Sequence, residues 1–377
     1  MPMIDHKKGQ GDKIRVIAMY LPQFHPTPEN DEWWGRGYTE WVSVANAKPL
    51  FPGHYQPRVP ADLGFYDLRL PESREAQASL AREYGIEGFC YWHYWFGNGK
   101  QLLERPFNEV LESGKPDFPF CLAWANHPWY KKLWGSDHND DKLLIDQLYP
   151  GDEDYEAHFY NVLPAFRDER YIQVDGKPLF MIFVPFKMPD AKHFIDIWTE
   201  LAIKNGLKGI YFVGQCINHS NPDAHNRILD MGFDAVNPCE TLKIHSIKNK
   251  FNRGIMKVAQ KYLHIPRVYK YRKAMRYFIA EDGTKVNIFP TLFPNWDHSP
   301  RSGSNGVIFH DSMPDFFKEH CKQVFEQLKE KPFDKRLVFI KSWNEWGEGN
   351  YIEPDQRFGH GYLQALKEAI DELEIDR

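Results

Sequence analysis

The run Pro178-Leu-Phe-Met-Ile-Phe-Val-Pro185 is the longest apolar stretch of the chain. It is too short for a bilayer-spanning helix, which needs roughly 20 apolar residues, and it has the length of a buried strand. A helical pattern follows over Asp190–Asn205 and stops at Gly206, and a second β-rich run covers Ile210–Cys216. A strand, a helix and a strand in this order predict a parallel β/α unit.

The same alternation continues in both directions from this unit. Eight strands are predicted at Ile14–Tyr20, Ile86–Trp92, Phe118–Trp124, Pro178–Val184, Ile210–Cys216, Phe233–Pro238, Asn287–Leu292 and Arg336–Lys341. Further helices are predicted over Pro71–Tyr84, over Ser312–Glu330 and after Gly361. Eight strands with crossovers predict an α/β fold, the (β/α)8 TIM barrel, as a single domain over residues 1–377. A doubly wound open sheet is the alternative, which the lack of a Gly-x-Gly-x-x-Gly sequence after the first strand disfavours.

Three segments depart from an ideal barrel. Residues 1–13 form a polar N-terminal tail, and Leu21–Leu70 is a connection too long to be structureless in a compact domain. A basic insertion over 241–280 separates the sixth and seventh predicted strands. Long loops are therefore expected at the C-terminal face of the barrel.

Composition limits the functional classes. The formal net charge of −5 excludes a generally basic nucleic-acid binder, so no nucleic-acid partner is expected. The N-terminus has no apolar core of a signal peptide, and the five scattered cysteines read as reduced, buried thiols. A cytoplasmic protein is expected, unless a leader has been removed.

Tryptophan positions point to the functional end of the barrel. Eleven of the twelve tryptophans lie at or after the carboxyl ends of predicted strands, where barrel enzymes place their active sites. Indole rings stack on the C–H faces of sugar rings, so an aromatic cleft with Asn, His and carboxylate side chains suits a glycan. The alternative is that these rings pack long loops against the end of the barrel.

The densest polar and aromatic motif begins where strand eight ends: Lys341-Ser-Trp-Asn-Glu-Trp-Gly-Glu-Gly-Asn-Tyr-Ile-Glu-Pro354. Glu345 and Glu348 lie three residues apart in a glycine-punctuated turn, so both can face the barrel mouth. Cleavage of a glycosidic bond generally uses two carboxyl groups, and neighbouring apolar rings can raise the pKa of one of them. Alternatively, both are surface loop carboxylates.

Several motifs together resemble a known family. They are Met19-Tyr-Leu-Pro-Gln-Phe-His-Pro26, Glu29-Asn-Asp-Glu-Trp-Trp-Gly-Arg-Gly-Tyr-Thr-Glu-Trp41, Gly88-Phe-Cys-Tyr-Trp-His-Tyr-Trp-Phe96, Leu122-Ala-Trp-Ala-Asn126 and Trp343-Asn-Glu-Trp-Gly-Glu-Gly349. They resemble the WbsX-like family, commonly labelled glycosyltransferase, and the Asn-Glu-Trp-x-Glu motif resembles glycoside hydrolase family 99. The latter contains retaining endo-acting α-mannosidases and mannanases.

The resemblance implies roles for the two carboxylates. Glu345 would deprotonate the 2-hydroxyl of the substrate, which attacks C1 to give a 1,2-anhydro sugar, and Glu348 would protonate the leaving group and then activate water. Glycan-binding candidates at strand ends and in the loops are Tyr20, His25, Glu40, Trp41, Trp92, His93, Tyr94, Trp124, Asn126, Gln215, Trp296, Asn344 and Trp346. A packing role remains open for most of them.

No cofactor and no metal are predicted. Asp137-His-Asn-Asp-Asp141 has neither EF-hand nor zinc spacing and reads as a solvated loop. Asp152-Glu-Asp154 is formally the Asp-x-Asp of nucleotide-sugar transferases, but it opens a predicted helix, where acidic residues are favoured anyway.

The basic insertion suggests a further partner. Thr241–Ala280 contains eleven Lys or Arg and no Asp or Glu, and the rest of the chain has 36 basic against 52 acidic residues. Its interleaved apolar residues are typical of basic amphipathic helices that bind anionic membranes or acidic polysaccharide. A membrane-peripheral enzyme that acts on cell-surface polysaccharide, for example in lipopolysaccharide biosynthesis, fits this pattern. The alternative is a solvated basic hairpin.

Three functions therefore stay open from the sequence. The first is a retaining glycoside hydrolase. The second is a sugar-nucleotide-dependent glycosyltransferase, which lacks a glycine-rich phosphate loop here. The third is a non-catalytic carbohydrate-binding barrel, which would not need paired glutamates.

Overall fold

The computed structural model describes residues 13–131, 142–217, 223–239 and 262–375, together with positions 254, 256, 258 and 260. The polar tail up to residue 12 and much of the basic insertion lie outside the described residues. Among the helices that are described, none combines the length and the hydropathy needed to cross a membrane.

Eight parallel strands form the centre of the described chain. They are β1 Arg15–Tyr20, β2 Gly88–His93, β3 Phe120–Trp124, β4 Lys177–Ile182, β5 Tyr211–Ile217, β6 Ala235–Cys239, β7 Thr291–Leu292 and β8 Leu337–Ile340. Their order in the sheet is β7-β8-β1-β2-β3-β4-β5-β6, and every neighbouring pair in it is parallel. This confirms the predicted (β/α)8 barrel.

The barrel closes through the segment that precedes β7. The Val236 amide donates to the Asn287 carbonyl at 2.9 Å, and the Phe289 amide donates to the Val236 carbonyl at 2.9 Å. Pro290 has no amide hydrogen and interrupts the ladder at this point. The predicted strand Asn287–Leu292 is therefore split into a bridge to β6 and the two residues of β7, which pair with β8.

The helices cover the outside of the barrel and the loops. In the described residues they are Pro28–Trp34, Glu40–Ala45, Pro71–Glu83, Arg105–Ser113, Asp152–Phe166, Ala191–Lys204, Ala224–Asp230, Tyr271–Ala274, Ser299–Ser302, Pro314–Glu326 and Gly361–Ile375. The helix after β4 begins at its cap, because Asp190 Oδ1 accepts the His193 amide at 3.0 Å. It ends before Gly206, whose φ of +85° suits glycine.

Short elements decorate the connections. The long loop after β1 contains the helices Pro28–Trp34 and Glu40–Ala45, as its length predicted. Outside the barrel, Arg267–Lys270 pairs in parallel with Val307–His310, and antiparallel pairs join Trp129–Lys131 to Lys142–Ile145 and Asn344–Glu345 to Asn350–Tyr351. Gln173–Val174 adds an antiparallel edge to β4. The loops that carry these elements after β1, β3, β7 and β8 build the site.

One continuous apolar cluster fills the barrel and the layer between strands and helices. A second, smaller cluster joins Tyr271 and Phe278, from the connection between β6 and β7, to Phe293 and Phe309, which follow β7. Burial of this kind contributes roughly 25 cal/mol per Å² of apolar surface and holds the loops of the barrel mouth in place.

Candidate active site

A cavity of about 590 Å³ opens among the loops that follow the barrel strands. Its wall combines aromatic rings, including Trp92, Tyr94 and Trp129, with the charged side chains of Glu345, Glu348 and other residues. Its volume is typical of small-molecule sites, and its wall combines aromatic rings with many polar and charged side chains. Its position at the carboxyl ends of the strands is that of barrel active sites.

A tight hairpin after β8 presents the two glutamates. Asn344–Glu345 pairs with Asn350–Tyr351, so the chain reverses over residues 346–349. Gly349 completes the reversal with φ +51°, and a Cβ atom there would lie 2.7 Å from that of Asp297. Glu345 and Glu348 consequently reach the same cavity wall.

One guanidinium group joins these carboxylates. Arg301 Nη2 donates to Glu345 Oε1 at 2.7 Å, and Nη1 donates to Glu348 Oε1 at 2.9 Å. Arg301 Nε also donates to Glu40 Oε2 at 3.1 Å, so three carboxylates share one cation. Charge-assisted bonds of this kind are roughly twice as strong as neutral ones and fix the geometry of the group.

The surroundings shift the pKa values of the two glutamates in opposite directions. Burial raises the pKa of Glu345, against the positive charge of Arg301. Burial acts in the same sense on Glu348, but the contact with His298 and the positive charges of Lys341 and Arg301 outweigh it and lower the pKa of Glu348. As the pH falls, Glu345 therefore binds a proton before Glu348 in the free protein.

A buried network anchors the loop that carries Arg301. Asp297 Oδ2 contacts His54 Nε2 and accepts from Gln56 Nε2, both at 2.7 Å, and Asp297 Oδ1 accepts the Ser299 amide at 3.0 Å. Against its burial, the bond to His54 and the charge of Arg58 hold the pKa of Asp297 below its usual range. Asp297 therefore ties the loop after β7 to the loop after β1.

Five of the residues that the sequence singled out lie together at the cavity: Glu40, Trp92, Tyr94, Glu345 and Glu348. Trp296 lies beside it, because Lys341 Nζ, which lines the cavity, is 5.7 Å from the centre of the Trp296 ring and 5.9 Å from that of Trp92. These residues come from the loops or ends of β1, β2, β7 and β8.

Trp346 and Trp41 occupy different surroundings from the predicted ones. Trp346 is fully buried, stacks on Tyr351 with ring centres 3.7 Å apart, and donates from Nε1 to Glu353 Oε2 at 2.6 Å. Trp41 is buried against Phe24 and donates from Nε1 to the Tyr66 carbonyl at 2.8 Å. Both rings pack the loop layer and do not line the cavity, so the interpretation of these rings as glycan platforms is corrected.

The other candidates are not among the residues that line the cavity, and most of them make hydrogen bonds inside the protein. Two of them donate to side chains: Tyr20 Oη donates to Gln77, and Gln215 Nε2 donates to Asn237. Three donate to backbone carbonyls: Asn126 Nδ2 to that of Val184, Asn344 Nδ2 to that of Leu21, and Trp124 Nε1 to that of Trp95. His25 is buried and is not among the residues that line the cavity. His93 contacts His158, with 2.8 Å between their Nε2 atoms, and burial lowers the pKa of His93 to about 4.

The cavity also contains residues that the sequence analysis did not select. Arg301, His298, Lys341, His127 and Tyr38 all line it. Lys341 is the last residue of the predicted strand eight, and His127 follows strand three, so their strand-end positions were the available signal. Arg301 lies nine residues after β7 and belongs to no recognisable motif.

The two acidic motifs give no sign of a metal site in the described residues. Asp137–Asp141 lies outside them, and Asp152 begins the helix Asp152–Phe166 as predicted. Asp152 Oδ1 contacts His193 Nε2 at 2.8 Å, and Asp154 Oδ2 accepts from Trp95 Nε1 at 3.1 Å. Within the described part of the chain, no group of three or more His, Cys, Asp or Glu side chains is arranged to hold a metal ion.

Two solved structures share this fold over nearly the whole chain. The GH99 endo-alpha-mannosidase of Bacteroides thetaiotaomicron in complex with Bis-Tris propane has a TM-score of 0.57 at 16% identity, with 96% of this chain and 98% of that chain covered. A glycoside hydrolase-like protein has a TM-score of 0.58 at 16% identity, with coverages of 98% and 96%. The chain therefore shares the barrel fold of these two structures, as the resemblance implied.

Curated relatives are longer than this chain. The uncharacterized protein WxcX of Xanthomonas campestris pv. campestris strain B100 is 35% identical over 365 residues, which cover 94% of this chain and 49% of the relative. WxcX of strain ATCC 33913 matches with the same figures. The chain thus spans about half the length of the curated relatives it matches.

The family model described as "Glycosyltransferase WbsX" matches residues 16–366, from β1 to the last helix. The match includes both glutamates, Glu40 and Arg301. On the strength of this match over most of its length, the chain belongs to the WbsX glycosyltransferase family.

Proposed function

We propose that the protein is an enzyme that cleaves a glycosidic bond in a polysaccharide or oligosaccharide, with Glu345 and Glu348 as its catalytic carboxyl pair. The observation that carries the proposal is the pair itself. A buried Glu345 and a half-buried Glu348 are bound to one guanidinium at an aromatic-walled cavity, and their pKa values are shifted in opposite directions. Pairs of titratable groups whose surroundings separate their pKa values are typical of acid–base catalysis.

The likeness to GH99 supports a route with retention at the anomeric carbon. Glu345 takes the proton of the 2-hydroxyl, the hydroxyl oxygen bonds to C1, and the C1–O bond to the leaving group breaks as Glu348 protonates that oxygen. Glu348 then takes a proton from water, and the water oxygen bonds to C1 as the bond between C1 and the 2-oxygen of the 1,2-anhydro sugar breaks. Glu345 returns its proton to the 2-oxygen, so both carboxyl groups regain their starting states. Two displacements at C1 give net retention.

An activity screen tests the proposal. The protein is incubated with a panel of α- and β-linked polysaccharides and oligosaccharides that includes α-mannans, and released reducing ends are measured. Turnover of at least one substrate is expected, with the first-formed product retaining its anomeric configuration in proton NMR. The Glu345→Gln/Glu348→Gln double variant is the control for a contaminating hydrolase. An inverted first product would reject the 1,2-anhydro route.

The description of the matching family favours one second candidate, a sugar-nucleotide-dependent glycosyltransferase. A transferase of this kind must bind a nucleoside diphosphate. Calorimetry with uridine, guanosine and thymidine diphosphates separates the candidates, because a hydrolase is expected to show no heat of binding. Glycan binding without any turnover would instead indicate a carbohydrate-binding barrel.

The surface near the basic insertion supports a proposal about attachment. The segment is helical at its described positions between 254 and 263; Met256 packs against the smaller apolar cluster, and Gln260 Nε2 donates to the Ser304 carbonyl at 3.1 Å. Four apolar side chains in the same stretch are more than half exposed: Val258, Tyr262, Leu263 and Ile265. Exposed basic side chains follow at Lys270, Arg272, Lys273 and Arg276.

Apolar and basic side chains that are exposed in one short stretch fit an anionic membrane surface, where each basic residue contributes about 1 kcal/mol of attraction. We therefore expect co-sedimentation with vesicles of mixed phosphatidylcholine and phosphatidylglycerol, but not with phosphatidylcholine alone. The attraction should weaken in salt, since surface charges are screened within about 8–10 Å.

Tyr262→Ser/Leu263→Ser and a variant with Gln at the four basic positions are each expected to lose this vesicle binding. Ile203→Ser is a matched control, because Ile203 is equally exposed on the helix Ala191–Lys204. Equal sedimentation of all variants would overturn the attachment proposal. If the wild type does not bind vesicles but binds an acidic polysaccharide in a salt-sensitive manner, and the two variants lose that binding, the surface is assigned to a glycan.

A further inference from the structure

Glu40 contributes a third carboxylate to the site, and the proposed acid–base chemistry does not use this carboxylate. Its Oε2 atom lies 3.1 Å from Arg301 Nε and 3.0 Å from Arg301 Nη2, and the side chain is almost completely buried. Glu40 begins the helix Glu40–Ala45 in the loop after β1, whereas Arg301 lies in the loop after β7. Their ion pair therefore joins two separate walls of the cavity.

The hydrogen bonds of Arg301 are divided among the three carboxylates. Glu40 contacts the Nε and Nη2 edge of the guanidinium, while Arg301 reaches only the Oε1 atom of each of Glu345 and Glu348 at hydrogen-bond distance. Each of these two glutamates thus keeps a second oxygen atom for a substrate. A planar guanidinium held along one edge cannot rotate, so its remaining donors stay aimed at the pair.

Gly347 lies between the two catalytic candidates in sequence and touches this ion pair. A Cβ atom at position 347 would overlap Glu40 Oε2 and would approach Arg301 Nε to 2.8 Å. Its φ is not in the left-handed region, so backbone conformation does not require glycine here. The lack of a side chain is needed for space alone.

We propose that Glu40 is a positioning residue that acts through Arg301, and that position 347 is glycine because the Glu40–Arg301 ion pair occupies the place of its side chain. This inference rests on the proposed function for its catalytic meaning. Its geometry can be tested without any substrate.

The charges that face Glu345 fix the sign of the expected effect. They are Arg301 and Lys341 as cations, Glu40 and Glu348 as anions, with Tyr94 and, next to Glu348, His298 as further titratable groups. The negative charge of Glu40 raises the pKa of Glu345, and it also shares the charge of Arg301. Removing Glu40's charge should therefore lower the pKa of Glu345 by both routes.

Carboxyl ¹³C NMR of protein labelled at the glutamate side-chain carboxyl carbon measures this directly, with the Glu345 signal identified by its loss in Glu345→Gln. Glu40→Gln is expected to lower the titration midpoint of Glu345 by one pH unit or more, about a tenfold change in proton affinity. Glu87→Gln is the matched control, since Glu87 pairs with Arg15 at 2.7 Å where β1 and β2 begin. An unchanged midpoint in Glu40→Gln would overturn the proposal.

A double-mutant cycle tests the role of Gly347. Gly347→Ala is expected to lower the melting temperature and to shift the Glu345 midpoint in the direction of Glu40→Gln, because the new methyl group displaces the Glu40 carboxylate. In the Glu40→Ala background, the same change should cost little, since the space is then free. Equal costs in both backgrounds would contradict the steric argument.

These outcomes separate the inference from the proposed function. If no glycan is turned over while the NMR and melting results are as expected, the ion pair still positions the two carboxylates, but the site has another function and the hydrolase proposal fails. If glycans are turned over while Glu40→Gln leaves the Glu345 midpoint unchanged, the function stands and the inference fails.

Discussion

Glu348→Gln is expected to turn over natural glycosides about 10²–10⁴-fold more slowly than the wild type, since a positioned general acid contributes about that much. An aryl glycoside whose leaving group needs no proton should recover part of this loss. Gln has nearly the same shape as Glu and keeps a carbonyl oxygen as acceptor for Arg301, so the melting temperature should change little. Rates on the two substrate types at several pH values provide the measurement.

Glu345→Gln is expected to lose activity on both substrate types, because the 2-hydroxyl cannot attack without a base. The raised pKa of Glu345 suits this role, since a base works best with a pKa near the working pH. Glu87→Gln, at the opposite end of the barrel, is the control that should keep full activity. Unchanged rates in both active-site variants would remove the pair from the chemistry.

The charge distribution of the free protein does not by itself lead to these roles. With His298, Lys341 and Arg301 around it, Glu348 is the more acidic of the two, whereas the proposed route makes it the proton donor. A proton must therefore reach Glu348 when a glycan binds. If the aryl leaving group rescued Glu345→Gln rather than Glu348→Gln, Glu345 would be the proton donor and Glu348 the base. That assignment would match the order of their pKa values in the free protein.

The barrel could be predicted from the sequence because its signals are local. Runs such as Pro178–Val184 are apolar throughout, as strands buried on both faces must be, and glycines such as Gly206 mark the helix ends. The strand Asn287–Leu292 was less regular than predicted because Pro290 lacks an amide donor. The pairing of Arg267–Lys270 with Val307–His310 was missed, since long-range register leaves no local trace.

The site could be predicted only in part. Glu345 and Glu348 lie three residues apart and follow a strand, so the motif placed them at the barrel mouth. Arg301, which binds both, comes from another loop, and the choice of glycine at position 347 depends on Glu40, some 300 residues earlier in the chain. The position of Arg301 and the need for glycine at position 347 depend on contacts between loops that are distant in sequence. No residue spacing within a single sequence reveals such contacts.

The tryptophans illustrate the same limit. Their strand-end positions located them at the correct end of the barrel, but position along the chain does not tell which side of a loop a ring faces. Trp92 and Trp129 line the cavity, whereas Trp343 and Trp346 are fully buried beneath it. The sequence left both packing and glycan contact open for each ring. In the structure, Trp343 and Trp346, the two tryptophans of the motif after β8, are packing residues.

Trp346→Ala is therefore expected to reduce the free energy of unfolding by about 3–5 kcal/mol, the usual cost of deleting a large buried aromatic side chain. The ring has no exposed surface and stacks on Tyr351 at 3.7 Å. Its loss also removes the Nε1 donor from Glu353, a buried carboxyl whose pKa burial raises to about 7. Urea unfolding followed by circular dichroism gives the measurement.

Trp346→Phe keeps the test decisive if the alanine variant fails to fold, because it retains a stacked ring and loses mainly the bond to Glu353. It should cost less than Trp346→Ala and leave glycan affinity close to that of the wild type. Trp34→Ala is the complementary variant, since Trp34 lines the cavity and its side chain is 37% exposed. It should cost little stability. If Trp346→Phe instead weakened glycan binding while the free energy of unfolding stayed unchanged, Trp346 would be a glycan contact, and the buried position would not describe the glycan-bound protein.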